Sequence, residues 1–124
     1  MAQRTPIVGG NWKMNTNAAT AGELAGAVSE GCGDIRGVEV FVCPPFCYLE
    51  RVRGVISPPL ALAAQDVYPE PDGAFTGEIS AAMLRDCGAT TVLTGHSERR
   101  HVIGETDGLI NRKTRAALEA GLAV

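Results

Sequence analysis

Short apolar runs alternate with helix-patterned segments along the whole of this chain, and no other feature limits its fold as strongly. The first run is Pro6-Ile7-Val8-Gly9-Gly10-Asn11-Trp12. Behind it, Thr20-Ala21-Gly22-Glu23 has the form of a capping box, a hydroxyl followed three residues later by a carboxylate. Ala21, Leu24, Ala25 and Val28 recur at helical spacing and are expected to face inward, with Gly31 and Gly33 available to end the helix. Val38 to Cys43 reads as a strand stopped by Pro44-Pro45, and Phe46 to Val52 as a helix that turns Leu49 and Val52 inward. Leu60 to Ala64 is a third apolar run. It leads into a long loop, Gln65 to Gly77, of a length usually kept for function or interaction. Ser80 caps a third helix with Met83, Leu84 and Cys87 on one face and Gly88 at its close. Thr90 to Thr94 is a fourth strand, and a helix from Thr106 to Ala120 stops at Gly121. Leu122-Ala123-Val124 then reads as the start of a fifth strand.

Strands that are apolar throughout, separated by helices, indicate an α/β fold with a parallel sheet. An open doubly wound sheet and part of a (β/α) barrel both fit, and periodicity does not choose between them. A strand begun at Leu122 leaves a sheet edge unpaired, so residues 1–124 are expected to form one partial domain of a larger fold. The 11 Lys+Arg against 14 Asp+Glu give a net charge of −3, which argues against a nucleic-acid partner. With 45% hydrophobic residues the chain also lacks the signature of disorder. Its longest uncharged stretch, between Arg53 and Asp66, is 12 residues with two prolines inside. A membrane span needs about 18 or more. No basic region followed by an apolar run opens the chain, so no secretory signal is expected. Cys32, Cys43, Cys47 and Cys87 show neither paired C-x-x-C spacing nor an accompanying histidine cluster, which points to reduced cytoplasmic thiols, inert in reactivity, and away from a metal site.

Parallel α/β folds place their chemistry at the C-terminal ends of strands. Asn11 and Lys13 follow the first strand here; His96 follows the fourth, with Glu98 two residues on. An amide, an ammonium, an imidazole and a carboxylate suit work on an anionic, carbonyl-bearing small molecule. The ammonium can hold a phosphate or a developing oxyanion, and the imidazole can polarise a carbonyl or carry a proton. Against this stands a solvated Lys13, a structural His96, and a surface ion-pair cluster of Glu98, Arg99 and Arg100 worth little. Spacing alone leaves the two readings even. Trp12 reads as packing beside the site.

Three longer blocks add to these residues: Gly9-Gly10-Asn11-Trp12-Lys13-Met14-Asn15, Gly73-Ala74-Phe75-Thr76-Gly77-Glu78-Ile79-Ser80 and Gly95-His96-Ser97-Glu98-Arg99-Arg100. In order and spacing they closely resemble triosephosphate isomerase. Cys87-Gly88-Ala89 and His101-Val102-Ile103-Gly104-Glu105 extend the resemblance, which runs from Thr5 to Val124. It implies the N-terminal half of a TIM (β/α)8 barrel, about four β/α units ending at the start of the fifth strand. A complete barrel has about 250 residues.

The resemblance further implies a cytoplasmic enzyme of glycolysis and gluconeogenesis that interconverts dihydroxyacetone phosphate and glyceraldehyde 3-phosphate without cofactor or metal. By the same resemblance, Asn11 and Lys13 bind substrate and stabilise the enediolate, and His96 is the electrophile. His96 is expected to work as neutral imidazole because a short helix opening at Ser97 disfavours a second proton. Glu98 matches a buried partner that positions Lys13. Thr76 matches a residue that reaches into a second subunit of a homodimer, and Met14 one that receives it. Glu78, Arg99 and Glu105 match positions in ion pairs at or near that dimer contact. The carboxylate base, the lid and the phosphate cradle of the family lie beyond residue 124, so the chain is expected to be inactive alone. The alternative is a non-catalytic half-barrel module that completes a barrel with a C-terminal half or with itself. Two departures stand out: Asp66 where the family commonly has Asn, and Thr94 where an apolar residue is common. The Thr94 hydroxyl needs a hydrogen-bond partner.

Overall fold

The computed structural model describes residues 2–124. Four strands, β1 (Ile7–Asn11), β2 (Glu39–Cys43), β3 (Leu60–Ala64) and β4 (Thr91–Val92), pair in parallel in the order in which they occur. A doubly wound sheet reverses strand order at a switch point; this sheet does not. Buried residues of all four helices join strand residues in one core, as right-handed crossovers between sequential strands require. The sheet curls into the N-terminal half of a TIM barrel, which resolves the choice that periodicity left open. Beyond β4, Ala123 bridges to Thr91 in parallel, so the final residues begin a fifth strand as expected.

The helices are α1 (Ala18–Gly31), α2 (Leu49–Arg53, entered through a 3-10 turn at Phe46–Tyr48), α3 (Ala81–Asp86) and α4 (Asp107–Glu119). Ser80 and Thr106 accept the N–H groups of Met83 and Leu109 and cap α3 and α4. Gly88 and Gly121 close those helices with φ of 91° and 85°, a conformation costly for any residue with a Cβ. The core lies between helices and sheet, built from Leu49, Val52 and Leu84 against Val42, Leu62 and Val92. Each large apolar side chain buried there contributes roughly 1.5–3 kcal/mol.

Three local expectations are corrected. The N-cap of α1 is Asn17, with Thr20 at the third helical position returning its hydroxyl to the Asn17 N–H, so the capping box is Asn17–Thr20 rather than Thr20–Glu23. The buried face of α1 is Ala21, Gly22, Ala25 and Ser29, while Leu24 is exposed. The inward face carries small residues that pack close to α2: a Cβ at Gly22 would lie 2.9 Å from Arg51 Nε. On α3, Ala81 and Leu84 are buried whereas Met83 is exposed. The Thr94 hydroxyl does find a partner, the Thr114 hydroxyl on α4 at 2.8 Å. Among the described residues, no helix is long and apolar enough to cross a membrane.

Candidate active site

The C-terminal ends of β1 and β4 bring Asn11, Lys13, His96 and Glu98 to one open cleft of about 570 Å³, which Met14 and Val102 also line. β1 delivers Asn11 as its last residue. Lys13 follows with φ of 57°, a left-handed conformation that an L-residue with a Cβ adopts only when its surroundings hold it there. The Asn11 side chain is one such restraint, since its Oδ1 accepts the Lys13 N–H at 2.9 Å. The Lys13 ammonium reaches back across the cleft to Glu98, with Nζ 2.7 Å from Oε1.

His96 sits just after Gly95, whose φ of 64° turns the chain sharply out of β4. A Cβ at Gly95 would meet Ile110 at 2.9 Å, so the turn needs glycine for both backbone and space. Ser97 opens a short helical turn that widens to π geometry over Arg99–Ile103. Within that turn the Glu98 N–H donates to His96 Nδ1 at 3.2 Å. A ring nitrogen that accepts a hydrogen bond has its lone pair free, so the ring proton belongs on Nε2. The Glu98 Oε2 also lies 3.5 Å from Nδ1, but the backbone donor is closer and assigns the tautomer. Ser97 is exposed and contributes the first residue of the turn.

The hydrogen bond from Lys13 holds the Glu98 carboxyl below its ordinary value, with the nearby Lys13 charge adding to the effect against a smaller penalty from desolvation. The pair is not buried as the resemblance implied. Side-chain exposure is 51% for Lys13 and 48% for Glu98, because the described residues place nothing over this end of the half-barrel.

Behind the cleft lies an ionic ring. Arg99 Nε is 2.8 Å from Glu105 Oε1 and 3.3 Å from Asp66 Oδ2. Lys113 Nζ is 2.9 Å from Asp66 Oδ1 and also bonds Glu105 Oε2. Two cations and two carboxylates thus balance, and the aspartate that departs from the family pattern is one of them. Burial alone would push the Glu105 carboxyl up; hydrogen bonds from Lys113 and Arg99 outweigh it and leave the group below its ordinary value. Lys113 was not singled out in the sequence. Its spacing with Ile110 and Ala117 on the inward face of α4 was the available signal.

Of the remaining expected residues, Arg99 and Glu105 pair with each other inside the chain, while Met14, Thr76 and Glu78 are exposed. Trp12 packs against the core beside the site. Cys43 is buried, which pushes its thiol up to about 12, and all four cysteines are unpaired.

A family profile described as triosephosphate isomerase matches residues 6–124. The triosephosphate isomerase of Roseiflexus sp. (strain RS-1) is 54% identical over 116 residues, which are 93% of this chain and 46% of that protein. The triosephosphate isomerase of Chloroflexus aurantiacus is 48% identical over 120 residues, 96% of this chain and 48% of that protein. The chain therefore spans about half the length of the curated relatives it matches.

Proposed function

Because the chain belongs to the triosephosphate isomerase family, we propose that it supplies the polarising half of an active site for interconverting dihydroxyacetone phosphate and glyceraldehyde 3-phosphate. The observation that carries this reading is the convergence of Lys13 and His96 on one cleft from strands at opposite ends of the sheet, with His96 Nδ1 already engaged by the Glu98 N–H. Removal of a proton next to a carbonyl develops negative charge on the carbonyl oxygen. The Lys13 ammonium stabilises that charge directly, and the Nε2–H of His96 donates a hydrogen bond to it. Asn11 and Lys13 bind the substrate, and Glu98 holds Lys13 in place.

Turnover also requires a base to take the proton, a lid to exclude water and a cradle for the phosphate. By family resemblance these belong to sequence beyond residue 124. Loss of a general base alone typically costs 10²–10⁴-fold in rate, so the isolated chain is inactive in this reading. We assign the protein to the cytoplasm and to glycolysis and gluconeogenesis; four unpaired cysteines suit a reducing compartment. Self-association as a homodimer uses Met14 and the Thr76 loop, both of which are exposed.

The test is an assay with each triose phosphate, using the chain alone and mixed with a matching C-terminal half. We expect turnover only in the mixture, abolished by His96→Ala. Turnover by the chain alone that His96→Ala removes would overturn the division of labour and make Glu98 the candidate base. A second reading, a non-catalytic module that closes a barrel with another half, is favoured by Ile7 and Val8, which lie 60% and 62% exposed on β1. A mixture that assembles but never turns over would support it.

A further inference from the structure

We propose that Gln65 is the positioning residue for Lys13: its side-chain amide clamps the Lys13 backbone to the end of β2 and thereby holds the ammonium at Glu98. Gln65 is the first residue after β3, and it makes two hydrogen bonds with one nitrogen. Its Nε2 donates to the Lys13 carbonyl at 2.8 Å and to the Cys43 carbonyl, the last of β2, at 2.9 Å. An amide nitrogen has two hydrogens, so both donors are spent. The opposite orientation would set Oε1 against two carbonyl oxygens, so the partners themselves determine which way the amide points.

Lys13 needs such a clamp. Its left-handed backbone is unfavourable for a residue with a Cβ, and hydrogen bonds to both flanking polar groups offset that cost. The Asn11 side chain holds the N–H and Gln65 holds the C=O. The Trp12 N–H also donates to the Cys43 carbonyl, at 3.1 Å, so the chain on either side of the Trp12–Lys13 bond is tied to the same point on β2. Gln65 is itself steady because Asp66, the next residue, is bonded to Lys113 and Arg99 in the ionic ring. A continuous path of contacts therefore runs from Lys113 on the inward face of α4 through Asp66, Gln65 and Lys13 to Glu98 and the His96 imidazole. In catalysis this inference rests on the reading of Lys13 as a substrate-facing cation; in geometry it does not.

Two replacements of nearly equal size separate positioning from stability. Gln65→Met keeps the length and removes the donors; Gln65→Glu keeps the shape and offers only acceptors. The readout is the pH titration of the Glu98 carboxyl carbon by NMR in this chain, beside the urea midpoint. The expected result is that both variants move the Glu98 titration up toward its ordinary value, because Lys13 has left it. A loss of urea resistance with Glu98 titrating as in the unchanged chain would overturn the proposal, since a merely structural glutamine would act that way.

A measurement on the unchanged chain covers the case in which neither variant folds. Both Gln65 amide protons are expected to exchange slowly with solvent, and rapid exchange of either would overturn the clamp. In the barrel completed with a C-terminal half, we expect kcat to fall by about 10²-fold, the scale of a 1 Å misplacement. Should the unchanged mixture be inactive while Glu98 still shifts in the variants, the functional reading fails and the positioning role stands.

Discussion

Lys113 donates to Asp66 at 2.9 Å from a side chain that is only 2% exposed, making it the most deeply placed charge in the ionic ring. Lys113→Met leaves Asp66 and Glu105 sharing Arg99 alone, an uncompensated buried negative charge. Breaking such a buried pair costs about 3–5 kcal/mol. The double change Lys113→Met with Asp66→Asn restores neutrality and is expected to recover part of that loss. Urea midpoints at one fixed protein concentration measure both. Equal loss in the single and double variants would mean that packing, not charge balance, explains the burial of Lys113.

Acid stability follows from Glu105, whose carboxyl is lowered from 4.5 because Lys113 and Arg99 outweigh its burial. A group with a depressed folded value contributes stability that is fully present above the unfolded value and is lost as pH falls through the folded one. The chain is therefore expected to lose urea resistance progressively below about pH 4.5. Glu105→Gln is expected to be less stable at neutral pH and to show a flatter acid slope. Identical slopes for the two proteins would contradict this assignment.

The His96 ring is expected to carry its proton on Nε2, because Nδ1 accepts from the Glu98 N–H. Long-range nitrogen-15 correlation spectra distinguish the two neutral tautomers directly. A spectrum with the proton on Nδ1 would show that the turn after Ser97 is not formed in solution and would remove the polarising role from His96.

Self-association is expected at micromolar concentration by two routes. One uses Met14 and the loop carrying Thr76, and the other pairs the open β1 edge, where Ile7 and Val8 are exposed, with another sheet edge. Shortening the Pro69–Phe75 segment should remove the first route and leave the second. Sedimentation showing a compact monomer with cooperative melting would refute both.

Much of the molecule was legible from the sequence alone, for a physical reason. Strand runs, the cap at Ser80, the start of the last helix at Thr106 and the closing turns at Gly88 and Gly121 are each marked by a few consecutive residues. The cap and turn hydrogen bonds span three to five positions, so the sequence holds both partners side by side, whereas the strands show as apolar runs although their ladder partners lie far off, Ile7 beside Glu39 for one. The blocks around Asn11, Thr76 and His96 were equally plain, and so was the need of Thr94 for a partner. Tertiary structure decided the rest. The Asn17 cap displaced the local candidate at Thr20, and α1 turns Ala21, Gly22 and Ala25 inward, with Arg51 of another helix close beside Gly22, while Leu24 faces outward. Gln65 looks like an ordinary loop residue until β1, β2 and β3 end together, when two carbonyls far apart in sequence come within reach of one amide. Lys113 reads as a solvated charge because lysine is almost never buried without a partner. Its partners stand 47 and 8 residues away, and only the tertiary fold brings α4 beside both Asp66, just past β3, and Glu105.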